Sequence, residues 1–400
     1  MVQKFGGTSV GDTDRIRAVA EHVAVTRRQG NDVVVVVSAM GKTTDDLIRQ
    51  ARDVSSVLPG REMDMLLTSG ERISMALVCM ALAQLGIPSG SYTGSQAGII
   101  TDTSHGRAKI VEIKPDRIRE ALDRKEVPVV AGFQGVSIAR DITTLGRGGS
   151  DTTAVALAAA LKADACEIYT DVTGVFSADP RIVPNARKLG EVSFEEMLDI
   201  SATGGRVLAL RSVEFARRYQ VPIHVRSSFS WESGTWIREE TEMEESIVTA
   251  VTHDMSESKV TIAGLPDQPG VAAKLFREIA GSGANIDMIV QNVSDAGSTD
   301  ISFTVPREDL DASLASAELA GRQLGASDIS ADSGVARVSV IGAGMKSSAG
   351  VAALMFETLA ANNVNIEMIS TSSIRISCVI RDEQVEQAVQ SLHSAFGLDA

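Results

Sequence analysis

The sequence has few cysteines, and none of them is spaced as in a metal site or a redox motif. Cys79, Cys166 and Cys378 are far apart, so neither a disulfide framework nor a thiolate metal site is indicated. Burial statistics favour a small, buried, apolar role for each cysteine. This pattern is typical of a protein that folds in a reducing cytoplasm.

Long hydrophobic runs and excess positive charge are also missing. The longest uninterrupted apolar run, Ala154 to Leu161, is far shorter than the roughly 18 residues needed to cross a bilayer. Met1 to Lys4 begin no signal peptide. Lys and Arg number 38 against 52 Asp and Glu, a net charge of −14. We therefore expect no membrane segment, and a surface that repels nucleic acid and anionic lipid.

The motifs of several enzyme classes are absent. The histidines show no H-E-x-x-H spacing, so no metal site built from protein ligands is expected; they are His22, His105, His224, His253 and His393. The chain also lacks the Walker-A motif and the H-R-D and D-F-G elements of protein kinases. Any nucleotide site must therefore belong to a different fold.

The first 230 residues alternate short β-branched runs with longer helical patterns. Five valines, Val33 to Val37, follow an amphipathic stretch, and similar runs occur at Val127 to Ala131, Glu167 to Thr170 and Ile223 to Val225. This alternation predicts an α/β domain with a mostly parallel sheet sandwiched by helices. Ligands of such sheets bind at the carboxyl ends of the strands.

The C-terminal part of the chain repeats itself at an offset of 80 residues. Gly270-Val271-Ala272 recurs at 350–352, and Asn285-Ile286-Asp287-Met288-Ile289 recurs as N-I-E-M-I at 365–369. Each copy has a helical stripe flanked by alternating strands, which predicts two βαββ units of α+β type that pair with each other or with a second chain. The expected domains are 1–230, 259–335 and 336–400. The linker, 231–258, contains the acidic residues Glu239, Glu240, Glu242, Glu244 and Glu245 and is expected to be a solvated connector or an irregular strand pair.

Two glycine-rich loops follow predicted strands and precede predicted helices. They are Lys4-Phe5-Gly6-Gly7-Thr8-Ser9 and Leu145-Gly146-Arg147-Gly148-Gly149-Ser150-Asp151-Thr152-Thr153. Such loops let backbone N–H groups face a phosphate at a helix N-terminus, although a plain tight turn also explains Gly6-Gly7 alone. Lys4 and Arg147 flank the loops, and two cations suit phosphoryl transfer.

Three signatures in this order resemble those of aspartokinases, members of the amino-acid kinase superfamily: Lys4 to Gly11, Leu145 to Thr153, and Tyr169 to Arg181 (Y-T-D-V-T-G-V-F-S-A-D-P-R). The tandem repeat resembles a pair of ACT domains, a tail that acetylglutamate, uridylate and glutamate 5-kinases lack. The resemblance covers essentially the whole chain. It implies an ATP:L-aspartate 4-phosphotransferase that makes 4-phospho-L-aspartate, the first step of lysine, threonine, methionine and isoleucine biosynthesis, under feedback through the ACT domains.

The resemblance also implies roles for individual residues. Lys4 neutralises the transferred phosphoryl group, and Asp151 orients Lys4 and the phosphates, which carry most of the Mg²⁺ coordination. Arg147 grips the α-carboxylate of aspartate, and Glu71 takes its α-ammonium group. Further aspartate contacts come from Ser38, Thr44, Gly148, Gly149 and Ser150, and ATP contacts from Gly6, Gly7, Thr8, Ser9, Thr170, Asp171, Phe176, Arg181 and Arg206. Phe176 stands where many members have tyrosine, and Arg206 where many have lysine.

For the ACT pair, the resemblance implies an amino-acid effector, with lysine and threonine expected. The implied contacts are Asp267, Gly270, Val271, Asn285, Ile286 and Gln291 in the first copy, and Ser348, Gly350, Asn365 and Ile366 in the second. The second copy lacks the proline that many members have before this glycine. Assembly is expected to be a homo-oligomer through the ACT domains, or a hetero-oligomer with a shorter subunit starting near Met243. The alternative is that these residues only form turns and strands of a dimerisation module.

Other interpretations remain open at the level of sequence. The pattern Thr68-Ser69-Gly70-Glu71 is also typical of a helix capping box. Turn formation alone also explains Asp171 and Asp179-Pro180. A catalytically silent ACT sensor, or another carboxylate or carbamate kinase, is the alternative function. Family members usually carry several more residues before Lys4, so the first strand is expected to be shortened.

Overall fold

The computed structural model describes residues 1–239, 247–281, 283–293, 297–346 and 348–399. The chain divides into two compact units. Unit 1 comprises Met1–Val175, Lys188–Ser201 and Arg206–Met243, and unit 2 comprises Phe176–Arg187, Ala202–Gly205 and Glu244–Ala400. Two short segments, 176–187 and 202–205, therefore interrupt unit 1 in sequence but belong to unit 2.

Unit 1 contains twelve strands and eight helices among the described residues. In chain order they are β1 (Val2–Phe5), α1 (Thr13–Arg28), β2 (Val34–Val37), α2 (Thr43–Val54), α3 (Gly60–Leu67), α4 (Ser69–Gln84), β3 (Ser89–Tyr92), β4 (Ile99–Thr101), β5 (Ile110–Ile113), α5 (Asp116–Asp123), β6 (Val127–Ala131), β7 (Gln134–Ser137), β8 (Ile142–Thr144), α6 (Gly149–Leu161), β9 (Cys166–Thr170), β10 (Glu191–Ser193), α7 (Phe194–Ala202), α8 (Leu210–Tyr219), β11 (Ile223–Ser227) and β12 (Thr235–Arg238). The last residue of α7, Ala202, already belongs to unit 2.

The main sheet of unit 1 has eight strands in the order β10-β12-β11-β9-β1-β2-β6-β3. The six strands from β11 to β3 pair in parallel, and β12 is antiparallel to β11. The expected mostly parallel sheet is confirmed. Phe5 is in register with Val37 and with Tyr169, so the carboxyl ends of β1, β2 and β9 meet at one edge. A smaller sheet, β5-β4-β7-β8, completes the unit.

The core of unit 1 explains why these runs form strands. All four valines of β2 are buried, as predicted for a strand covered on both faces. Helix α6 is buried from Gly149 to Ala158 because its small side chains let it pack against β1, β2 and α8. Burial contributes about 1.5–3 kcal/mol for each valine-sized side chain. The apolar α6 is thus a core helix whose first turn begins at the functional edge of the sheet.

One helical stretch among the described residues, 60–84, is long and apolar enough by length and composition to cross a membrane. It comprises α3 and α4, and α4 packs against α1 and against three strands of the main sheet, β2, β6 and β3. The three cysteines are all unpaired, and Cys166 and Cys378 are buried.

Unit 2 contains two four-stranded antiparallel sheets. Its elements are β13 (Ala250–Asp254), β14 (Glu257–Pro266), α9 (Val271–Gly281), β15 (Ile289–Val293), β16 (Ser298–Pro306), α10 (Leu310–Leu324), β17 (Asp328–Asp332), β18 (Val335–Ile341), α11 (Val351–Ala361), β19 (Met368–Thr371), β20 (Arg375–Arg381) and α12 (Val385–Ala395). The sheet orders are β15-β16-β14-β17 and β13-β18-β20-β19. Each expected βαββ unit is present and is extended by a second helix and a fourth strand.

The fourth strands of the two modules come from different places in the chain. In the first module β17 follows the repeat and pairs with β14, whereas in the second module β13 precedes both repeats and pairs with β18. The interval 231–258 therefore holds β12, β13 and the start of β14. Residues 240–246, which include Met243 and most of the acidic stretch, lie outside the described residues.

Candidate active site

A cleft of about 510 Å³ lies in unit 1 at the carboxyl edge of the main sheet. Ten residues predicted from the sequence line it: Lys4, Gly7, Ser38, Thr44, Glu71, Arg147, Gly148, Gly149, Ser150 and Asp151. Lys4 and Arg147, which are more than a hundred residues apart in sequence, thus share one cavity. Positioned cations in one cleft suit the binding and transfer of anionic groups.

Lys4 and Asp151 form an ion pair at the base of this cleft. Lys4 Nζ lies 2.6 Å from Asp151 Oδ1, with side chains 11% and 12% exposed. Lys4 is held on β1 between two parallel neighbours, and Asp151 lies in the first turn of α6. The sheet and the helix thus fix both partners, and the ammonium group is oriented before any ligand arrives.

The loop after β1 uses some of its backbone donors internally. Gly6 N–H donates to Tyr169 O at 3.2 Å, and Ser9 N–H donates to Gly6 O at 2.9 Å. The N–H groups of Gly7 and Thr8 donate to no acceptor in the part of the chain that the structure describes. A Cβ on Gly7 would lie 3.0 Å from Ala39 O, so glycine keeps this turn close to the end of β2. Gly7 and Thr8 therefore offer the available donors for an anion.

The loop before α6 needs glycine at two positions. Gly146 and Gly148 have φ values of 80° and 69°, the left-handed region that other residues rarely adopt. Gly148 is the N-cap of α6, and a Cβ there would also lie 2.2 Å from the Ala209 Cβ. Between them, Arg147 is exposed and makes no ion pair or hydrogen bond with another described residue. Its guanidinium is therefore available to a ligand at the N-terminus of α6.

Glu71 is a buried carboxylate, and one of its two oxygens has no hydrogen-bond partner in the described part of the chain. Ala39 N–H donates to its Oε1 at 3.2 Å, and its buried Oε2 has no hydrogen-bond partner. Burial raises the pKa of Glu71 to about 7, because backbone hydrogen bonds offset only part of the lost hydration. The capping-box alternative is not formed: Thr68 makes no side-chain cap and donates from Oγ1 to Met65 O instead.

Ser38 and Thr44 lie at the β2 side of the cleft. Ser38 directly follows β2, and its N–H donates to Phe5 O at 3.1 Å, which joins the ends of β1 and β2. Thr44 lies in the first turn of α2. Both side chains are half-buried and line the same cavity as Glu71.

The predicted nucleotide contacts beyond the first loop do not line this cavity. Thr170 and Asp171 follow β9 at the same sheet edge, and Thr170 Oγ1 donates to Asp171 Oδ1 at 3.1 Å. Arg206 is exposed in the turn before α8. Phe176 and Arg181 belong to unit 2, where Asp179 forms the expected turn by accepting from Arg181 N–H at 2.9 Å.

The predicted effector residues lie at equivalent places in the two modules of unit 2. Gly270 and Gly350 precede α9 and α11 with φ values of 95° and 97°. Val271 and Val351 begin these helices and are buried, whereas Asp267, Asn285, Gln291 and Asn365 are exposed. Asp267 N–H donates to Gly297 O at 3.0 Å. Ile286, Ser348 and Ile366 are half-buried.

The sequence analysis missed several residues of the cleft. Asp64, Phe133 and Thr144 line it, and Asp64 is fully buried with its carboxylate accepting from Thr144 Oγ1. Phe133 has a φ of 67°, a strained conformation for a bulky residue. The only sequence signal was an acidic residue within the apolar stretch of α3, and that signal is weak.

Comparison with known proteins follows the same division of the chain. The model of the amino acid kinase family matches residues 1–227, and the ACT domain model matches 260–318 and 338–396. An aspartokinase of Mycolicibacterium smegmatis is 57% identical over 404 residues, covering 100% of this chain and 96% of the relative. The crystal structure of E. coli aspartokinase III in complex with aspartate and ADP is 25% identical, with a TM-score of 0.84, and covers 98% of this chain and 99% of that one. The same E. coli enzyme in complex with lysine and aspartate gives a TM-score of 0.75 at 25% identity, covering 99% of both chains.

The fold and the cleft therefore define a nucleotide-dependent kinase, and the chain belongs to the amino acid kinase family. Within that family it is an aspartate kinase with C-terminal ACT domains, which transfers the γ-phosphate of ATP to the β-carboxylate of L-aspartate. The enzyme is favoured over the silent sensor and over kinases of other carboxylates or carbamates.

Proposed function

We propose that the cleft of unit 1 performs the transfer with Lys4 as the cation on the migrating phosphoryl group. The observation that carries the proposal is that Lys4, Arg147 and Glu71 line one cavity, and that the buried Oε2 of Glu71 has no hydrogen-bond partner among the described residues. Asp151 holds the Lys4 ammonium in place. The loop of Gly6, Gly7, Thr8 and Ser9 binds ATP phosphates, with the N–H groups of Gly7 and Thr8 as donors.

Aspartate is held by both of its α-substituents. Arg147 pairs with the α-carboxylate, for which a planar guanidinium supplies two parallel hydrogen bonds. The unpartnered Oε2 of Glu71 accepts the α-ammonium group, which offsets the cost of burying this carboxylate. Ser38, Thr44 and the first turn of α6, Gly148 to Ser150, supply the remaining contacts. The two charged contacts leave the β-carboxylate as the group directed at ATP.

The chemistry needs orientation and charge compensation rather than a base. A β-carboxylate has a reference pKa of about 3.9 and is already a nucleophile at neutral pH. One of its oxygens forms a bond to the γ-phosphorus while the bond from that phosphorus to the β,γ-bridging oxygen breaks, and ADP leaves with the electron pair. Two anions must approach each other in line, so fixed cations and backbone dipoles lower the barrier.

The nucleotide extends from the cleft along the edge near β9. Thr170, Asp171 and Arg206 are the proposed contacts from unit 1 to its base, ribose and phosphates, and contacts from Phe176 and Arg181 stay predictions from the sequence. Mg²⁺ would be held mainly by the ATP phosphates, because no group of three acidic, His or Cys side chains converges within the described residues. Asp151 would be the carboxylate next to those phosphates. When bound, the ion would neutralise phosphate charge.

Lysine and threonine are the proposed effectors of the ACT modules. The support is the pair of equivalent glycine turns in unit 2 and the lysine complex of the E. coli relative. Their proposed contacts are those predicted from the sequence. We propose domain bounds of 1–230, 259–335 and 336–400, assembly through the ACT modules and a cytoplasmic location. A shorter subunit starting near Met243 remains a proposal outside the described residues.

The decisive test is detection of aspartyl phosphate as its hydroxamate, formed from ATP and aspartate. We expect product with aspartate and none with glutamate or carbamate in place of it. Arg147→Ala should raise the aspartate KM about ten- to a hundred-fold, since the charge-assisted hydrogen bonds to the α-carboxylate are removed. Equal turnover with the other acceptors would contradict the proposal.

A further inference from the structure

Asp64 occupies an unusual place in the cleft of unit 1. It is fully buried, and it is the only residue of α3 that is. A buried carboxylate is costly unless donors surround it. An ordinary surface helix buries apolar side chains instead. We therefore infer that the Asp64 carboxylate serves to hydrogen-bond neighbouring segments and not to fill space in the core.

Donors from two separate segments converge on the Asp64 carboxylate. Thr144, the last residue of β8, donates from Oγ1 to Oδ1 at 2.5 Å. Gly106 N–H donates to the same oxygen at 3.1 Å. His105 Nδ1 lies 2.6 Å from Oδ2, within hydrogen-bond distance. Asp64 thus ties α3 to the end of β8 and to the turn that contains His105 and Gly106.

Both segments adjoin the loop that carries Arg147. Thr144 precedes Arg147 by three residues in sequence, and a Cβ on Gly146 would lie 3.2 Å from Gly106 O, so the two turns are in close approach. In addition, the Arg211 guanidinium donates to Leu145 O and to Ala108 O, both at 3.0 Å. The base of the loop is therefore anchored twice, whereas the Arg147 side chain is exposed and available.

We propose that Asp64 is a positioning residue that sets where Arg147 meets the α-carboxylate of the amino-acid substrate. His105 acts with it by fixing the orientation of the carboxylate. Asp64 thereby determines affinity for substrates that carry an α-carboxylate, and it does so without touching them. The inference rests on the proposed role of Arg147. Small displacements of such a group are costly, because an error of about 1 Å in a bound substrate costs up to a hundred-fold in rate.

Two competitive inhibitors separate this role from a merely structural one. Succinate keeps both carboxylates of aspartate and lacks the ammonium group, whereas β-alanine keeps the ammonium group and the reacting carboxylate and lacks the α-carboxylate. In Asp64→Asn we expect the aspartate KM and the succinate Ki to rise about ten-fold, the worth of one charge-assisted hydrogen bond. The β-alanine Ki should stay within two-fold of its original value, since Arg147 has no partner on that molecule.

A double-mutant cycle provides the second test. If Asp64 acts through Arg147, adding Asp64→Asn to Arg147→Ala should change kcat/KM for aspartate by less than about two-fold, because the two effects are not additive. Additive losses, or an equal rise in the β-alanine Ki, would overturn the inference. If Arg147→Ala itself leaves the aspartate KM unchanged, the role of Arg147 fails first, and that single variant shows it.

Stability is measured alongside the kinetics. Glu196→Gln is the matched control. Glu196 is another buried carboxylate of unit 1; it lies in the first turn of α7 and accepts hydrogen bonds from Ser193. It should lower Tm and leave KM and both Ki values unchanged. Should Asp64→Asn fail to fold, Thr144→Val removes one donor to Asp64 without adding a polar group. It should raise the aspartate KM and the succinate Ki three-fold or more, and an unchanged succinate Ki would overturn the inference.

Discussion

The hydroxyl of Ser177 lies 2.8 Å from Nε2 of His393, a residue 216 positions further along the chain. Ser177 belongs to the Y-T-D-V-T-G-V-F-S-A-D-P-R signature, and His393 to α12 of the second ACT module. His393 Nδ1 also lies 2.9 Å from Asp399 Oδ1, and both Ser177 and His393 are fully buried. The C-terminal part of this signature therefore belongs to unit 2.

His393→Ala should destabilise unit 2. The substitution removes the imidazole partner of the buried Ser177 hydroxyl, which keeps only the hydrogen bond from Arg187 N–H, and it opens a cavity, so we expect a loss of about 2–3 kcal/mol in the free energy of unfolding. Urea unfolding measures it, and Ser177→Ala with His393→Ala in a cycle gives the coupling between the two residues. Ser391→Ala, which removes only a local hydrogen bond to Ala388 O, should change stability by less than about 0.5 kcal/mol. Equal losses in both variants would contradict a specific Ser177–His393 bond.

Lys4→Ala should act on kcat rather than on the aspartate KM. Removal of a cation that stabilises the transferred phosphoryl group costs about a hundred- to a thousand-fold in kcat. Lys42→Ala is the control, because Lys42 is exposed at the start of α2 and should leave kcat within two-fold. Steady-state rates with ATP and aspartate decide the matter. Full turnover by Lys4→Ala would refute the proposed mechanism.

The aspartate KM should depend on pH through Glu71. Its pKa is raised to about 7 by burial, and it must be ionised to accept the α-ammonium group. The KM should therefore rise as the pH falls from 8 to 6, while Glu71→Gln should show a high KM that does not vary with pH. A parallel pH dependence in both proteins would assign the titration to another group.

The raised pKa of Glu71 also predicts how the stability of the folded protein depends on pH. Because the pKa of Glu71 is higher in the folded protein than its usual 4.5, its stabilising contribution is complete below about pH 4.5 and is lost as the pH rises through about 7. Glu71→Gln should therefore unfold at a higher temperature than the parent protein at pH 8, and the difference should shrink at pH 5. Thermal unfolding without ligands tests this, and a lower Tm for Glu71→Gln at pH 8 would contradict it.

Gly270→Ala and Gly350→Ala form a matched pair for locating the effector site. Both glycines have a positive φ, and no atom lies within 4 Å of the position that a Cβ would occupy, so strain is the main cost of either change. We expect the variant in the effector-binding module to need several-fold more lysine or threonine for half-inhibition, with kcat unchanged. Initial rates are measured with lysine and threonine, singly and together. Unaltered inhibition in both variants would place the effector elsewhere.

Elements with local causes could be predicted from the amino-acid sequence alone. Val34 to Val37 form a buried strand because β-branched residues suit a sheet covered on both faces. The two glycine loops, the mostly parallel character of the sheet and the offset repeat followed from turn chemistry and periodicity. Lys4, Glu71, Arg147 and Asp151 were predicted to share a site, and they line one cleft.

The pairings between distant segments, in contrast, depended on the tertiary structure. It placed β13 beside β18, brought Ser177 to His393 and surrounded Asp64 with donors from two segments. It also buried Arg337, which donates to Ala202 O and lies 2.8 Å from a Glu257 carboxylate oxygen. Periodicity indicates which face of an element is apolar. These contacts depend instead on which buried polar groups hydrogen-bond to each other, and those pairs form only when the whole chain packs.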